Sequence, residues 1–336
     1  MNMQTVWILP SVALYMNVVT CLEPWLDSEW KNWSIKFQKH MRVGDVKRRE
    51  IWEANYRAID EHNQRFQEGK ETYIMGMNQF GDLTPEEFVN LTHVTMSSVK
   101  ITDNNQLTAE ELRDAAKKLN VTSIDYRTLG YITPLEDQGL CGCCWAYSAA
   151  GPLEAQWMKK TGKLIPLSKQ QLVDCTLNSG NRGCSGGLPC IAYEYIKANG
   201  GIQAAATYPY AMKEKVCAAN QSKFVTTVKD WKYLPFGDEQ ALEDALVTIG
   251  PVAITMDSTT IKFQFYLKGV FYDPKCTIWK QNHAMVLVGF GTVGTENYWT
   301  IKNSWGPYWG ENGYLRLTKD KGNHCGIGQY GVVPFV

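Results

Sequence analysis

The spacing of apolar and polar positions changes several times along the chain. Val6 to Met16 is a nearly continuous apolar stretch broken by Pro10 and Ser11, and no charged side chain occurs before residue 23. Charged sequence then begins abruptly at Glu23, which favours a signal peptide over residues 1–20 rather than a buried N-terminal strand. From Leu26 to Gln67, Trp30, Trp33 and Phe37, then Val46, Ile51 and Ile59, recur near helical spacing among many charges. This pattern predicts two amphipathic helices. Ser97 to Gln106 is polar and reads as an extended linker. From residue 120 onward the chain is rich in Gly, Trp and Tyr. Trp145–Lys160 and Ser168–Cys175 carry apolar faces, the second opened by a Ser168/Gln171 capping box. Val252–Met256, Ala284–Phe290, Tyr298–Lys302 and Tyr314–Leu317 are short β-prone runs between Gly, Pro and Asn. The expectation is an α+β molecule, a helical half followed by a β half with a cleft between them.

Composition narrows this picture. A length of 336 residues corresponds to two domains' worth of chain at roughly 150 residues each. With 44% apolar and 20% charged residues the chain is not disordered as a whole. Basic and acidic residues balance at 34 each, which argues against a nucleic-acid partner. Residues 21–119 hold 14 basic and 17 acidic groups, leaving 20 and 17 for 120–336, so two oppositely charged pieces can dock. No C-x-x-C pair has a partner at zinc-finger spacing, so neither a metal nor a cofactor is expected, and the ten cysteines read as mostly disulfide-forming in an oxidising compartment. Sequons at Asn32, Asn90, Asn120 and Asn220 fit a secretory route.

The chemistry concentrates in Gln138-Gly-Leu-Cys141-Gly-Cys-Cys144-Trp, where a Gly-containing loop runs into a predicted helix. A helix N-terminus favours the thiolate form of Cys144 through its unpaired N–H groups and positive dipole end. His283, in Asn282-His-Ala-Met, opens an apolar strand 139 residues downstream, and Asn303-Ser-Trp305-Gly306 follows twenty residues later. Taken singly, each has a plainer reading: a structural thiol, a hydrogen-bonded histidine and a turn asparagine. Their joint order and neighbours favour a nucleophile and its partners.

Together with Gly-Cys-Ser-Gly-Gly at 183–187, this set resembles the papain family of cysteine proteases, nearest the cathepsin L group. Arg48, Trp52, Asn55, Ile59 and Asn63 are similar to the spaced pattern of the cathepsin L-type pro-region, with Gly44 where that pattern has Glu. Gly76-x-Asn78-x-Phe80-x-Asp82 matches its second signature. The resemblance implies a two-lobed papain-like fold, with a helical left lobe and a β-barrel-like right lobe, preceded by a helical inhibitory pro-segment. The implied division is 1–20, 21–119 and 120–336. Cys144 would be the nucleophile, His283 its acid/base partner in a thiolate–imidazolium pair, Asn303 the group orienting the imidazole, and Trp305 its shield. Gln138 and the Cys144 N–H would form the oxyanion hole. The implied disulfides are Cys141–Cys184, Cys175–Cys217 and Cys276–Cys325.

Gly186 and Gly187 would pair with substrate backbone. Leu188, Pro189, Thr255, Ala284 and Gly331, with Gln281 at the mouth, would line the pocket for the residue before the scissile one. No acid stands among them, so a hydrophobic residue is expected there. No His-containing insertion like the occluding loop of cathepsin B is present, which favours endopeptidase action. The implied partners are protein and peptide substrates, the chain's own pro-segment as cis inhibitor and cystatin-type inhibitors, with the enzyme a monomer in the lysosome or outside the cell. The stretch Phe80–Gln106 would fill the cleft, and processing would cut near Leu119–Val121. Three features depart from the family pattern. Cys143 stands where a serine is usual, Cys190 is additional and leaves a bridge to Cys143 open, and Pro152 falls eight residues into the presumed central helix, where a bend is expected. These departures sustain an alternative, a catalytically silent peptide-binding relative. Retention of Cys144, His283, Asn303 and Gln138 favours the enzyme.

Overall fold

The computed structural model describes residues 22–39, 46–92 and 105–336; the expected signal peptide, Cys21, Gly44 and most of the expected linker lie outside the described residues. The two expected pro-segment helices are α1 (Asp27–Lys36) and α2 (Val46–Gln67). Acids at Asp27 and Glu29 and a base at Lys36 complement the α1 dipole. Between the helices sit Trp33 and Trp52, with Trp30 against both at 5.3 and 5.5 Å. Two of the spaced residues of α2, Asn55 and Asn63, hold the backbone of the segment that follows. Asn55 Nδ2 donates to the carbonyls of Gly81 and Leu83 (2.8 and 3.0 Å), and Asn63 exchanges two hydrogen bonds with Met75. Arg48 grips both carboxylate oxygens of Glu87 at 2.6 and 2.8 Å. That segment contains strand β1 (Tyr73–Met75) and helix α3 (Pro85–Val89), the latter started by a Thr84/Glu87 capping box. A further helix, α4 (Ala109–Lys117), was not anticipated.

The remaining elements are β2 (Ile124–Asp125), α5 (Cys144–Thr161), α6 (Lys169–Cys175), α7 (Pro189–Asn199), β3 (Ile202–Gln203), β4 (Phe224–Thr226), β5 (Asp230–Tyr233), α8 (Glu239–Thr248), β6 (Val252–Met256), α9 (Ile261–Gln264), β7 (Tyr266–Phe271), β8 (His283–Val293), β9 (Glu296–Lys302), β10 (Tyr314–Thr318) and β11 (Gly331–Phe335). The α+β class holds. The right lobe, expected to be barrel-like, is an open sheet in the order β1-β7-β10-β9-β8-β6-β11-β5, with β2 added on β8. In this sheet the edge of β7 is covered by β1 of the pro-segment. Gly269, at φ +109°, permits this contact, since a Cβ there would lie 2.6 Å from Tyr73 Cα.

One core lies within the sheet lobe, where Leu246, Ile254, Leu287, Trp299 and Trp309 meet; Phe80 and Phe88 of the pro-segment join it. The other surrounds α5, through Trp145, Ala149, Leu153, Leu172 and Ile196. Small residues on α5 let it approach the sheet closely: a Cβ at Gly151 would stand 2.8 Å from Val286 Cγ2. The helix continues through Pro152 to Thr161, so the proline does not end it although it withholds a donor from the Ser148 carbonyl. No described helix is long and apolar enough to cross a membrane.

Candidate active site

Cys144 is the first residue of α5 and is buried, and it carries a thiol rather than a disulfide. His283 is the first residue of β8, placed opposite Met256 of β6. Its Nε2 lies 2.8 Å from Asn303 Oδ1, which also accepts the Ser304 N–H at 2.8 Å. That second bond identifies the asparagine oxygen as the acceptor, so Nε2 carries the proton and Nδ1 has the lone pair. Nδ1 takes no hydrogen bond from the described residues, leaving it as the basic nitrogen. The Trp305 ring stacks on the imidazole at 4.4 Å and 20°. Burial pulls His283 down to about 4, against the opposing effect of its bond to Asn303. In this covered state burial therefore disfavours the imidazolium form.

Gln138 is held from several sides. Its backbone N–H donates to Ser304 O at 2.8 Å, its Oε1 accepts from Ser304 Oγ, and its Nε2 donates to Cys141 O at 2.9 Å. The same Nε2 lies 3.5 Å from the carbonyl of Leu91 in the pro-segment, the limit of a hydrogen bond. Asn282 Nδ2 donates to Thr92 Oγ1 at 2.6 Å, Gln79 Nε2 to Trp305 O at 2.7 Å, and Phe80 and Phe88 pack edge-on to Trp305. The pro-segment thus covers the histidine and tryptophan and brings a peptide carbonyl to the amide of Gln138. Residues 93–104 of the expected cleft-filling stretch lie outside the described residues.

Disulfides join Cys141 to Cys184, Cys175 to Cys217 and Cys276 to Cys325, the first tying the nucleophile loop to the Gly183–Gly187 loop. The bridge left open between Cys143 and Cys190 does not form; both are buried thiols. Cys143 Sγ meets Tyr210 Oη at 3.0 Å, and burial pushes its thiol up to about 12. Tyr210 Oη also donates to Gln138 O at 2.8 Å, a support for the oxyanion loop that the sequence did not single out. In a small cavity that Asn303 also lines, Lys169 lies between Glu136 and Glu154, and Lys302 Nζ donates to the carbonyls of Thr133 and Pro134. Burial pulls Lys302 down to about 8. This buried charge cluster gave no sequence signal, because its members are far apart in the chain. The described His, Cys and acidic groups close enough to hold a metal are Cys276, His324 and Cys325, and both of those cysteines are in a disulfide.

The subsite residues are partly brought together. Leu188 and Ala284 lie in one buried cluster, Pro189 begins α7 beside it, and Thr255 Oγ1 bonds Gln281 Oε1 at 2.6 Å. Gly186 and Gly187 are buried in the loop joined to Cys141. Gly331 is the exception: a Cβ there would point at Leu234, 2.9 Å away. Its neighbour Tyr330 shares the cluster of Leu188 and Ala284, with its hydroxyl 3.0 Å from Tyr233 Oη.

The chain matches the papain family cysteine protease model over residues 121–335 and the cathepsin propeptide inhibitor domain (I29) over residues 30–88. It is 40% identical to procathepsin L of Felis catus over 93% of each chain, and 39% identical to cathepsin K of Mus musculus over 97% of each. Among solved structures, digestive procathepsin L 3 from the larval midgut of Tenebrio molitor matches with a TM-score of 0.85 and 35% identity, over 94% of this chain and all of that one. With its buried Cys144, its His283–Asn303 pair and a folded inhibitor over the cleft, the chain belongs to the papain family of cysteine proteases, as a cathepsin L-like peptidase zymogen.

Proposed function

We propose that Cys144 and His283 carry the hydrolysis of peptide bonds through an acyl-enzyme. The observation that carries this reading is the fixed tautomer of His283: with Nε2–H given to Asn303, Nδ1 is the nitrogen available to take the thiol proton. The thiolate attacks the peptide carbonyl, and Gln138 Nε2 with the Cys144 N–H stabilises the oxyanion. His283 then protonates the leaving amine, and water attacks the thioester with His283 as base. Trp305 keeps water from the His283–Asn303 bond. The approach of Leu91 O to Gln138 Nε2 supports the oxyanion assignment, since a peptide carbonyl already lies at that amide.

Gly186 and Gly187 hold substrate backbone, and the pocket before the scissile residue takes hydrophobic side chains, lined by Leu188, Pro189, Thr255, Ala284 and Tyr330 with Gln281 at its mouth. The enzyme is an endopeptidase acting on proteins and peptides as a monomer, open to cystatin-type inhibitors, in the lysosome or outside the cell. Residues 1–20 are a signal peptide, 21–119 the inhibitory pro-segment and 120–336 the peptidase. Asn32, Asn90, Asn120 and Asn220 are exposed, as glycan acceptors must be. The test is conversion of the purified zymogen as pH is lowered, followed by hydrolysis of peptides that differ only in the residue before the scissile one. Self-conversion that is absent in Cys144→Ala, with preference for Leu or Phe over Arg, is expected. Conversion of the Cys144→Ala chain on its own would overturn the assignment.

A further inference from the structure

Helix α4 lies between the two family-matched stretches, 30–88 and 121–335, and belongs to neither. It forms for local reasons: Thr108 accepts from the Glu111 N–H while the Glu111 carboxylate accepts from the Thr108 N–H, and Lys117 stands in the last turn. It is also docked on the peptidase. The chain enters it alongside β5, with Leu107 N–H donating to Tyr233 O at 2.9 Å and Gln106 Nε2 to Leu234 O at 3.2 Å. Leu112 is 4% exposed and joins the sheet-lobe core that includes Leu242 and Leu246 of α8. Arg113 Nε lies 3.9 Å from Asp244 Oδ2. Asp244 is itself buried, and that oxygen takes no hydrogen bond. A buried carboxylate oxygen without a hydrogen bond, beside a leucine socket, is a surface built to receive a helix with adjacent apolar and cationic residues.

The chain leaves α4 through an exposed turn, with Lys118, Leu119 and Asn120 at the surface and Asn120 at φ +47°; β2 then enters the peptidase sheet. Such a loop is the preferred place for proteolytic nicking.

We propose that the face formed by α8 and the end of β5 is an exosite of the peptidase, and that its occupant is α4 of the chain's own pro-segment, bound independently of the cleft. The consequence for inhibition rests on the reading that processing cuts near Leu119–Val121. A cut there severs the chain but leaves the pro-segment attached at two places, the cleft with its β1–β7 pairing and the exosite. Each holds the other at high effective concentration. Release then requires both contacts to open, so cleavage and activation are separate events.

The test uses the full chain made inert by Cys144→Ala, with a site for an unrelated sequence-specific protease inserted after Leu119. After cutting, the dissociation constant between the two pieces is measured at neutral pH by dilution and size exclusion. The wild-type α4 piece stays bound, and Leu112→Asp weakens the cut complex by about 10- to 100-fold, the range for losing one buried leucine. Arg113→Glu, which sets like charges together, weakens it by about three- to tenfold, whereas Leu119→Asp, at an exposed position, has no effect. Equal melting of the uncut variants excludes general misfolding as the cause. A dissociation constant unchanged within twofold in both Leu112→Asp and Arg113→Glu overturns the exosite. Fragment masses from the self-processing enzyme are a separate arm. A natural cut far from 118–123 overturns the processing reading, while the exosite result stands because the inserted site defines the cut.

Discussion

Lowering the pH from 7 to 5 should open the zymogen largely through His283. In the covered state burial holds this imidazole at about 4, and its ordinary value is 6.5. Between these values the opened state binds a proton that the closed state does not. Closed-state stability is therefore full above about 6.5 and is lost as pH falls through 6.5 toward 4. If uncovering restores the ordinary value, the loss between pH 7 and pH 5 is about 2 kcal/mol, an opening equilibrium shifted roughly twentyfold. The pro-segment supplies much of the cover through Thr92, Gln79, Phe80 and Phe88 around Asn282 and Trp305. Glu87 contributes nothing in this window. Its bonds to Arg48 and to the Thr84 N–H hold it near 2, so its contribution is lost only as pH falls below its ordinary value of 4.5. The assay is hydrogen exchange at the edge where β1 meets β7, at the Gly76 and Val270 amides, which donate to Phe265 O and Thr72 O, in the inert Cys144→Ala chain, corrected for the intrinsic pH dependence of exchange. The comparison is with the same chain carrying His283→Gln. The histidine chain should open about twentyfold more between pH 7 and 5 than the glutamine chain. Parallel pH dependences in the two chains would refute the argument.

Other consequences are simpler to measure. Cys143→Ser should keep kcat/KM within about threefold, because the Cys143 thiol is buried, bonded to Tyr210 and held protonated; a loss as large as that of Cys144→Ala would place the chemistry on the wrong thiol. Gln138→Ala should lower kcat by about 10²–10³-fold, and Ser304→Ala, which only orients that amide, by a smaller factor, both read from steady-state kinetics of the processed enzyme. Asn55→Ala should destabilise the pro-segment by about 1–3 kcal/mol, seen as a lower melting temperature of the zymogen, because it leaves the Gly81 carbonyl without its donor and the Leu83 carbonyl with Gln264 alone.

The strands nearest the site were legible because they are short, largely apolar runs set off by Gly, Pro and Asn: Val252–Met256 matches β6 to the residue, and Tyr314–Leu317 misses one residue of β10. The reacting groups were legible for a different reason. A thiol at a loop-to-helix junction and a histidine at a strand start carry their chemistry in their neighbours. Helix α4 was hidden by the polar stretch before it, although Thr108-x-x-Glu111 is a helix start signal. Strand β7 went unseen because Leu267, Lys268 and Gly269 break its alternation; its pairing comes from long-range contacts with β1 and β10. The buried pairing of Lys169 with Glu136 and Glu154 needed the fold itself.

The most direct measurement is covalent titration of the acid-processed enzyme with a papain-type epoxide, followed by peptide mass mapping. The account predicts one equivalent of label on Cys144, stoichiometric with loss of peptidase activity, and no label on the uncut zymogen at neutral pH, where Leu91, Thr92 and the Trp305 contacts cover the site. Label on Cys143, or a processed chain that takes none, would contradict it.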